Sequence, residues 1–143
     1  MTPSSDEGSI LPLVAAFAAL ALAVVLLATA ASSLYLERKR LFTVADGAAL
    51  AGAEAFELST VEVVDGHLQA ELTDADVRAA VQDYLADLST DRFDDLRVEE
   101  VSSADGTSAT VTLSARWRPP VAGFFLPRGV RIDVTTTARS VLD

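Results

Sequence analysis

From Ser9 to Leu36 the chain carries no charged side chain, and the run breaks off at Glu37-Arg38-Lys39-Arg40. As an α-helix this run would measure about 42 Å, against a bilayer hydrocarbon core of about 30 Å. Its centre, from Leu11 to Ala30, interrupts its apolar side chains only with Pro12 near the start and Thr29 near the end, so no face is polar enough for water. A helix in lipid satisfies its own backbone hydrogen bonds. The sequence therefore predicts a transmembrane helix over residues 10–36, after a short polar tail at residues 1–9. Pro12 falls in the first turn, where a missing N–H costs little. A cleavable secretory signal is the rival reading, because Ala28-Thr29-Ala30 has the small-x-small form of a cleavage site. The segment before it contains Asp6 and Glu7 where a signal peptide carries lysine or arginine, which favours retention.

The rest of the 143 residues suffices for one modest core. With no cysteine, disulfides, thiol nucleophiles and thiolate zinc sites are excluded. The formal charge of −10 makes nucleic acid and anionic lipid unexpected partners. That charge is uneven. Acids dominate between Asp46 and Asp105, whereas Arg116, Arg118, Arg128, Arg131 and Arg139 outnumber Asp133 and Asp143 after Gly106. The two parts either neutralise each other within one fold or meet across copies of the chain.

Beyond Arg40 the pattern stays helical, to about Leu58. Leu41, Val44, Ala45, Ala48, Ala49, Gly52, Ala53 and Phe56 recur at three and four residues, a narrow stripe of mostly small side chains. Such a stripe admits another backbone closely. It serves either an amphipathic helix resting on its own domain or a stem packing against other copies through Leu41, Val44, Ala48, Gly52 and Phe56. Both readings make residues 37–58 a continuation of the anchor.

Residues 59–143 read as a small α+β domain. Asp65-Gly66 between Val61–Val64 and His67–Leu72 signals a hairpin, with an irregular connection over Thr60–Leu72 as the equal alternative. Thr73 with Asp76 has the form of a capping box. Val77, Ala80, Val81, Tyr84, Leu85 and Leu88 then follow at helical spacing, an amphipathic helix over about 74–88. Asp94 and Asp95 are expected to break the chain before a strand that begins at Leu96. On the strand Ser108–Trp117, residues Ala109, Val111, Leu113, Ala115 and Trp117 alternate with polar side chains, which predicts an antiparallel sheet with one wet face. Pro119-Pro120 ends it, and Val130, Ile132, Val134, Thr136 and Ala138 alternate in a last strand. One helix on a three- or four-stranded antiparallel sheet is the expected layer architecture.

No residue pattern points to catalysis. His67, the single histidine, lies beside a turn, and no serine or lysine has an activating context. Asp91, Asp94, Asp95, Glu99 and Glu100 lack the order and central glycine of a calcium loop, so no metal or other cofactor is expected. Phe124, Phe125 and Leu126, set between Pro120 and Pro127, either cap the end of the core or form an interaction loop.

Three segments taken together resemble the TadE/TadG-like family, membrane-anchored pilin-like proteins of the tight-adherence (Flp) pilus, a branch of type IV pilus machinery. They are Glu7-Gly8-Ser9-Ile10-Leu11-Pro12-Leu13 with the apolar helix behind it, Leu34-Tyr-Leu-Glu-Arg-Lys-Arg-Leu, and Ala45-Asp-Gly-Ala-Ala-Leu-Ala-Gly-Ala. The resemblance covers residues 7–56; the end of the chain, from Arg116 onward, is similar to the family's last strands more loosely. It implies a single-pass protein of the cytoplasmic membrane with its C-terminal domain outside, extending to the cell surface if the chain enters a pilus. Its implied partners are membrane lipid and other pilin-like subunits or Tad assembly proteins, as a homo- or hetero-oligomer. Arg38, Lys39 and Arg40 run against that topology, since the positive-inside rule places them in the cytoplasm. Gly8-Ser9 is the implied prepilin-peptidase junction. Pilins of that class carry a glutamate five residues into the mature chain, where this sequence has Leu13, so a processed and an intact N-terminus both stay open. Longer members append a metal-binding adhesion-type domain, for which this sequence has no room. The function implied is that of a pilin-like or pilus-assembly component acting without chemistry. The alternatives are a fixed single-pass protein whose outer domain binds a partner, and a cytoplasm-facing membrane regulator.

Overall fold

A computed structural model of the chain describes residues 10–55, 62–64, 67–69, 72–120 and 127–139. Helix α1 (Ile10–Ala53) is followed by the short strands β1 (Glu62–Val64) and β2 (His67–Gln69), helix α2 (Asp74–Asp87), and strands β3 (Asp94–Ser102), β4 (Ser108–Trp117) and β5 (Val130–Arg139). The α+β class expected from the sequence is the one observed.

Helix α1 is about 66 Å long at 1.5 Å per residue. Its C-terminal part lies across β4 and β5 and against α2. Leu41, Ala45, Ala48, Ala49 and Ala53 are fully buried there, and Val44 packs at the margin of the same core. Gly52 is where backbone and neighbours meet most closely: a Cβ there would stand 2.8 Å from Val77 Cγ1 and 3.2 Å from Ala109 Cβ. The helix closes at Ala53 rather than near Leu58. The Ala55 N–H turns back to the Gly52 carbonyl, three residues earlier, at 3.3 Å, the tightened last turn common at helix ends.

Thr73 caps α2 as its spacing predicts. Its hydroxyl accepts from the Asp76 N–H at 3.3 Å, and the Asp76 carboxylate accepts from the Thr73 N–H at 3.3 Å. Asp74 also accepts from the Ser103 N–H at 2.7 Å, fastening the start of α2 to the end of β3. Val77 and Val81 carry the buried face of α2.

The main sheet has the order β3-β4-β5, antiparallel throughout, with Ser108 opposite Arg139 and Trp117 opposite Val130. Ala109, Val111, Leu113 and Ala115 face the helices and are fully buried, with Val134 and Thr136 beside them on β5. The wet face carries cross-strand hydroxyl pairs, Thr110–Thr137 and Thr112–Thr135, each at 2.9 Å. β1 and β2 form a separate two-stranded hairpin with Val64 opposite His67, the pairing that the Asp-Gly signal predicts. Asp94 and Asp95 do not precede the strand; they open β3. Its register slips between Asp94 and Arg97, and Asp95 takes a left-handed φ of 52° at that irregularity. A bulge absorbs two acidic residues that regular pairing would not favour.

Two glycines on α1 give opposite expectations. Gly52→Ala thrusts a methyl group into fully buried Val77 and Ala109, an overpacking that should destabilise the domain by about 1–3 kcal/mol. Gly47→Ala meets only the ring tip of partly exposed Tyr84, which can swing aside, so the gain in helix propensity of about 1 kcal/mol should leave stability unchanged or raised. Thermal unfolding of the detergent-solubilised chain ranks the two. The Thr136 hydroxyl is buried with no partner among the described residues. Thr136→Val keeps the shape and removes the unpaired group, so its melting temperature should rise, by the equivalent of about 1 kcal/mol.

Candidate functional site

The surface that sets this chain apart is the N-terminal part of α1. Ile10, Phe17 and Leu27 are 75%, 63% and 72% exposed, and leucines and valines between them are exposed on every side of the helix. An 18-residue window reaches a mean hydropathy of 2.9 with none of it buried against the rest of the chain. By length and composition this helix suffices to cross a membrane. Thr29 turns its hydroxyl back onto the Val25 carbonyl at 2.8 Å, so even this polar side chain is satisfied within the helix.

The stem stripe has a different destination. Leu41, Ala48 and Gly52 are buried against the chain's own sheet and second helix, with Val44 beside them, so the intrachain reading of the stripe is the arrangement present. Phe56, the last member, lies outside the described residues. So do Gly8 and Ser9 at the proposed junction and Phe124, Phe125 and Leu126 of the proposed interaction loop. On the stem, Phe42 and Leu50 stay half exposed outside the buried stripe.

Trp117 marks the boundary between rod and stem. Its indole N–H donates to the Ser33 hydroxyl at 3.2 Å, pinning the end of β4 to α1 two turns before Leu41. The alternation on β4 predicts Trp117 in the core, whereas it is only partly buried at the sheet's end. Nothing in the spacing of either residue announces a bond across 84 positions.

Several of the arginines pair with carboxylates within the fold. Asp95 is gripped by Arg97 at 3.0 Å, Arg116 at 3.1 Å and Arg131. Arg118 pairs with Asp94 at 3.1 Å and Arg139 with Asp105 at 3.1 Å. Glu99 accepts from the Ser114 hydroxyl, which in turn accepts from Arg131 at 2.7 Å. Of the carboxylates considered for calcium, Asp94, Asp95 and Glu99 thus face guanidinium groups, and among the described residues no three His, Cys, Asp or Glu side chains are grouped to hold a metal ion. His67 lies on β2, across from Val64.

Two carboxyls are held below their ordinary value of 3.8. Partial desolvation lifts Asp95, but hydrogen bonds and charge from Arg97 and Arg131 outweigh it. Asp105 is depressed further, first by the Ser108 hydroxyl, then by the Thr107 and Ser108 N–H groups, with Arg139 adding to them against some desolvation. A carboxyl whose folded pKa is depressed contributes stability in full above its unfolded value and loses it as pH falls toward the folded one. The melting temperature should therefore hold from neutrality to about pH 5 and fall progressively below about pH 4. Asp105→Asn should lower the neutral value and flatten that acid loss, as read by the fluorescence of the single tryptophan during heating.

Comparison with known proteins places one part of this molecule. No curated protein and no solved structure matches the chain. The model of the Flp pilus-assembly TadE/G-like family, by contrast, matches residues 8–55. That interval is α1 with two residues at either end, taking in both the exposed rod and the buried stem. Residues 8–55, about a third of the chain, are thus similar to the TadE/G-like Flp pilus-assembly family.

Proposed function

We propose that the chain is a pilin-like, single-pass component of a Tad/Flp-type pilus or related secretion apparatus, working by helix packing and subunit assembly. The family match supports a pilus-assembly role. The observation that carries the finer reading is the abrupt change along α1: apolar and bare as far as Leu36, then sealed into its own domain from Leu41 to Ala53. The bare part needs a cover that the chain does not supply, and lipid or neighbouring rods both provide one. In this reading the rod is stored in the bilayer and transferred to a bundle of like rods. Because the stem stripe is occupied internally, contacts between subunits fall to the rod from Ile10 to Leu36 and to Phe42 and Leu50. The C-terminal domain is outside the cytoplasm, as the family resemblance implies.

Two specific features favour other readings. Leu13 in place of the pilin glutamate favours a fixed anchor whose domain binds a partner. Arg38, Lys39 and Arg40 favour a domain on the cytoplasmic side. Mass spectrometry of native protein addresses the first: a Ser9 start in sheared pilus fractions is the expected result, and an intact Met1 confined to membranes means the fixed anchor. Protease treatment of spheroplasts addresses the second, with digestion of the domain expected and its protection reversing the topology. Val24→Arg, near mid-span, adds about 2.5–3.5 kcal/mol to insertion and should release the chain from carbonate-washed membranes.

A further inference from the structure

We infer that the rod-proximal end of the sheet domain is a docking surface for anionic phospholipid headgroups, built from Trp117 and the arginines around it. The inference rests on the reading that α1 spans a bilayer. With Ile10 at one edge of a hydrocarbon core of about 30 Å, the other edge falls about twenty residues on, near Ala30. Ser33 then lies in the headgroup layer, and the bond from Trp117 to Ser33 brings the end of β4 to the same depth. Tyr35, 66% exposed, lies two residues on, about 3 Å further along the helix. Tryptophan and tyrosine favour this level because each has an apolar body and one polar atom.

The charge at this end is opposite in sign to the chain as a whole. Arg116 and Arg118 flank Trp117, and Arg92 shares with them a cavity of about 210 Å³ that Ser33 and the indole also line. Arg128 precedes Val130, the residue paired with Trp117, and Arg38, Lys39 and Arg40 crown the helix just above. Glu37, Asp87, Asp91, Asp94 and Asp95 oppose these seven cations, leaving the end net positive while the whole chain carries −10. Arg118 and Asp94 are each more than half exposed, so their pairing is weak enough to yield to a phosphate. Arg38, Lys39, Arg92 and Arg128 make no ion pair among the described residues. Cations held this close to a headgroup layer lie within the Debye length of its charge, so each is drawn to an anionic surface. The basic cluster after the span thereby has a local counterpart in lipid on whichever side the domain lies.

The single tryptophan reads the contact directly. The full chain is placed in nanodiscs of phosphatidylcholine, alone or with about one-quarter phosphatidylglycerol, and Trp117 is quenched with aqueous acrylamide. Phosphatidylglycerol should reduce the quenching constant about twofold, and about 0.5 M NaCl should restore it. The double variant Arg92→Gln/Arg118→Gln, altered only at exposed side chains, should enter the discs as well as the parent and lose the protection. Equal quenching in both lipids, or protection that survives the double variant, overturns the inference while leaving the span intact. Equal protection by inorganic phosphate in phosphatidylcholine discs also overturns it, in favour of a soluble anion. A chain that stays outside the discs removes the span itself, and the docking surface with it.

Discussion

One continuous helix meets two different surroundings, and the rest of the molecule follows from how its side chains change at the crossing. Up to Leu36 the helix is apolar all round, and from Leu41 it is apolar on one side in residues no larger than leucine. Small side chains set the distance between α1 and the sheet. At Gly52 the helix backbone stands within van der Waals range of Val77 and Ala109. Among the described residues, Leu41, Leu113, Val77, Val81 and Val111 are the largest apolar side chains that are completely enclosed. At the Gly52 contact closeness contributes stability that bulk does not, because dispersion falls off within a fraction of an ångström of separation.

Close packing also makes the rod and the domain one mechanical body. Three attachments lie along α1: Trp117 to Ser33, then Leu41 under the sheet, then Gly52 between α2 and β4. They span about 19 residues, or roughly 28 Å of helix. A hinge at the point where the rod leaves the domain would need to break the bond at Ser33 and expose the apolar contacts beneath it. Any force or packing arrangement imposed on the rod is therefore passed to the domain without a flexible joint. This suits the proposed assembly role, in which neighbouring rods fix where their domains stand.

Much of this was legible in the sequence, for reasons tied to particular residues. Alternation along β4 identified Ala109, Val111, Leu113 and Ala115 as core, because a sheet with one wet face permits no other placement of a period of two. Thr73 and Asp76 marked the start of α2 because a cap satisfies N–H groups that the helix cannot. The destination of the stem stripe was not legible: small residues at helical spacing look the same whether the close neighbour is the chain's own sheet or a second copy. Asp95 misled for a related reason. Acidic pairs ordinarily interrupt strands, but Arg97, two residues on, and Arg116 and Arg131, distant in sequence on β4 and β5, converge on Asp95 and hold it inside β3 despite its left-handed backbone. The Ser33–Trp117 bond depends on where a strand ends relative to a helix, and neither local pattern encodes that.

The distribution of charge adds a last constraint. Arg116, Arg118, Arg131 and Arg139 find carboxylates within the fold, so most of the positive charge after Gly106 is paired internally. What remains is a strongly acidic body hung from an uncharged rod. Bodies with a formal charge near −10 repel one another at separations below the Debye length of about 8–10 Å. Rods that share an apolar cover attract. If like chains gather through their rods, the attraction acts at one end of a stiff unit and the repulsion at the other, so the domains are driven outward while the rods converge. Neutralising partners, cations or headgroups at the rod-proximal end then govern how closely the units approach, and the apolar rod governs only that they do.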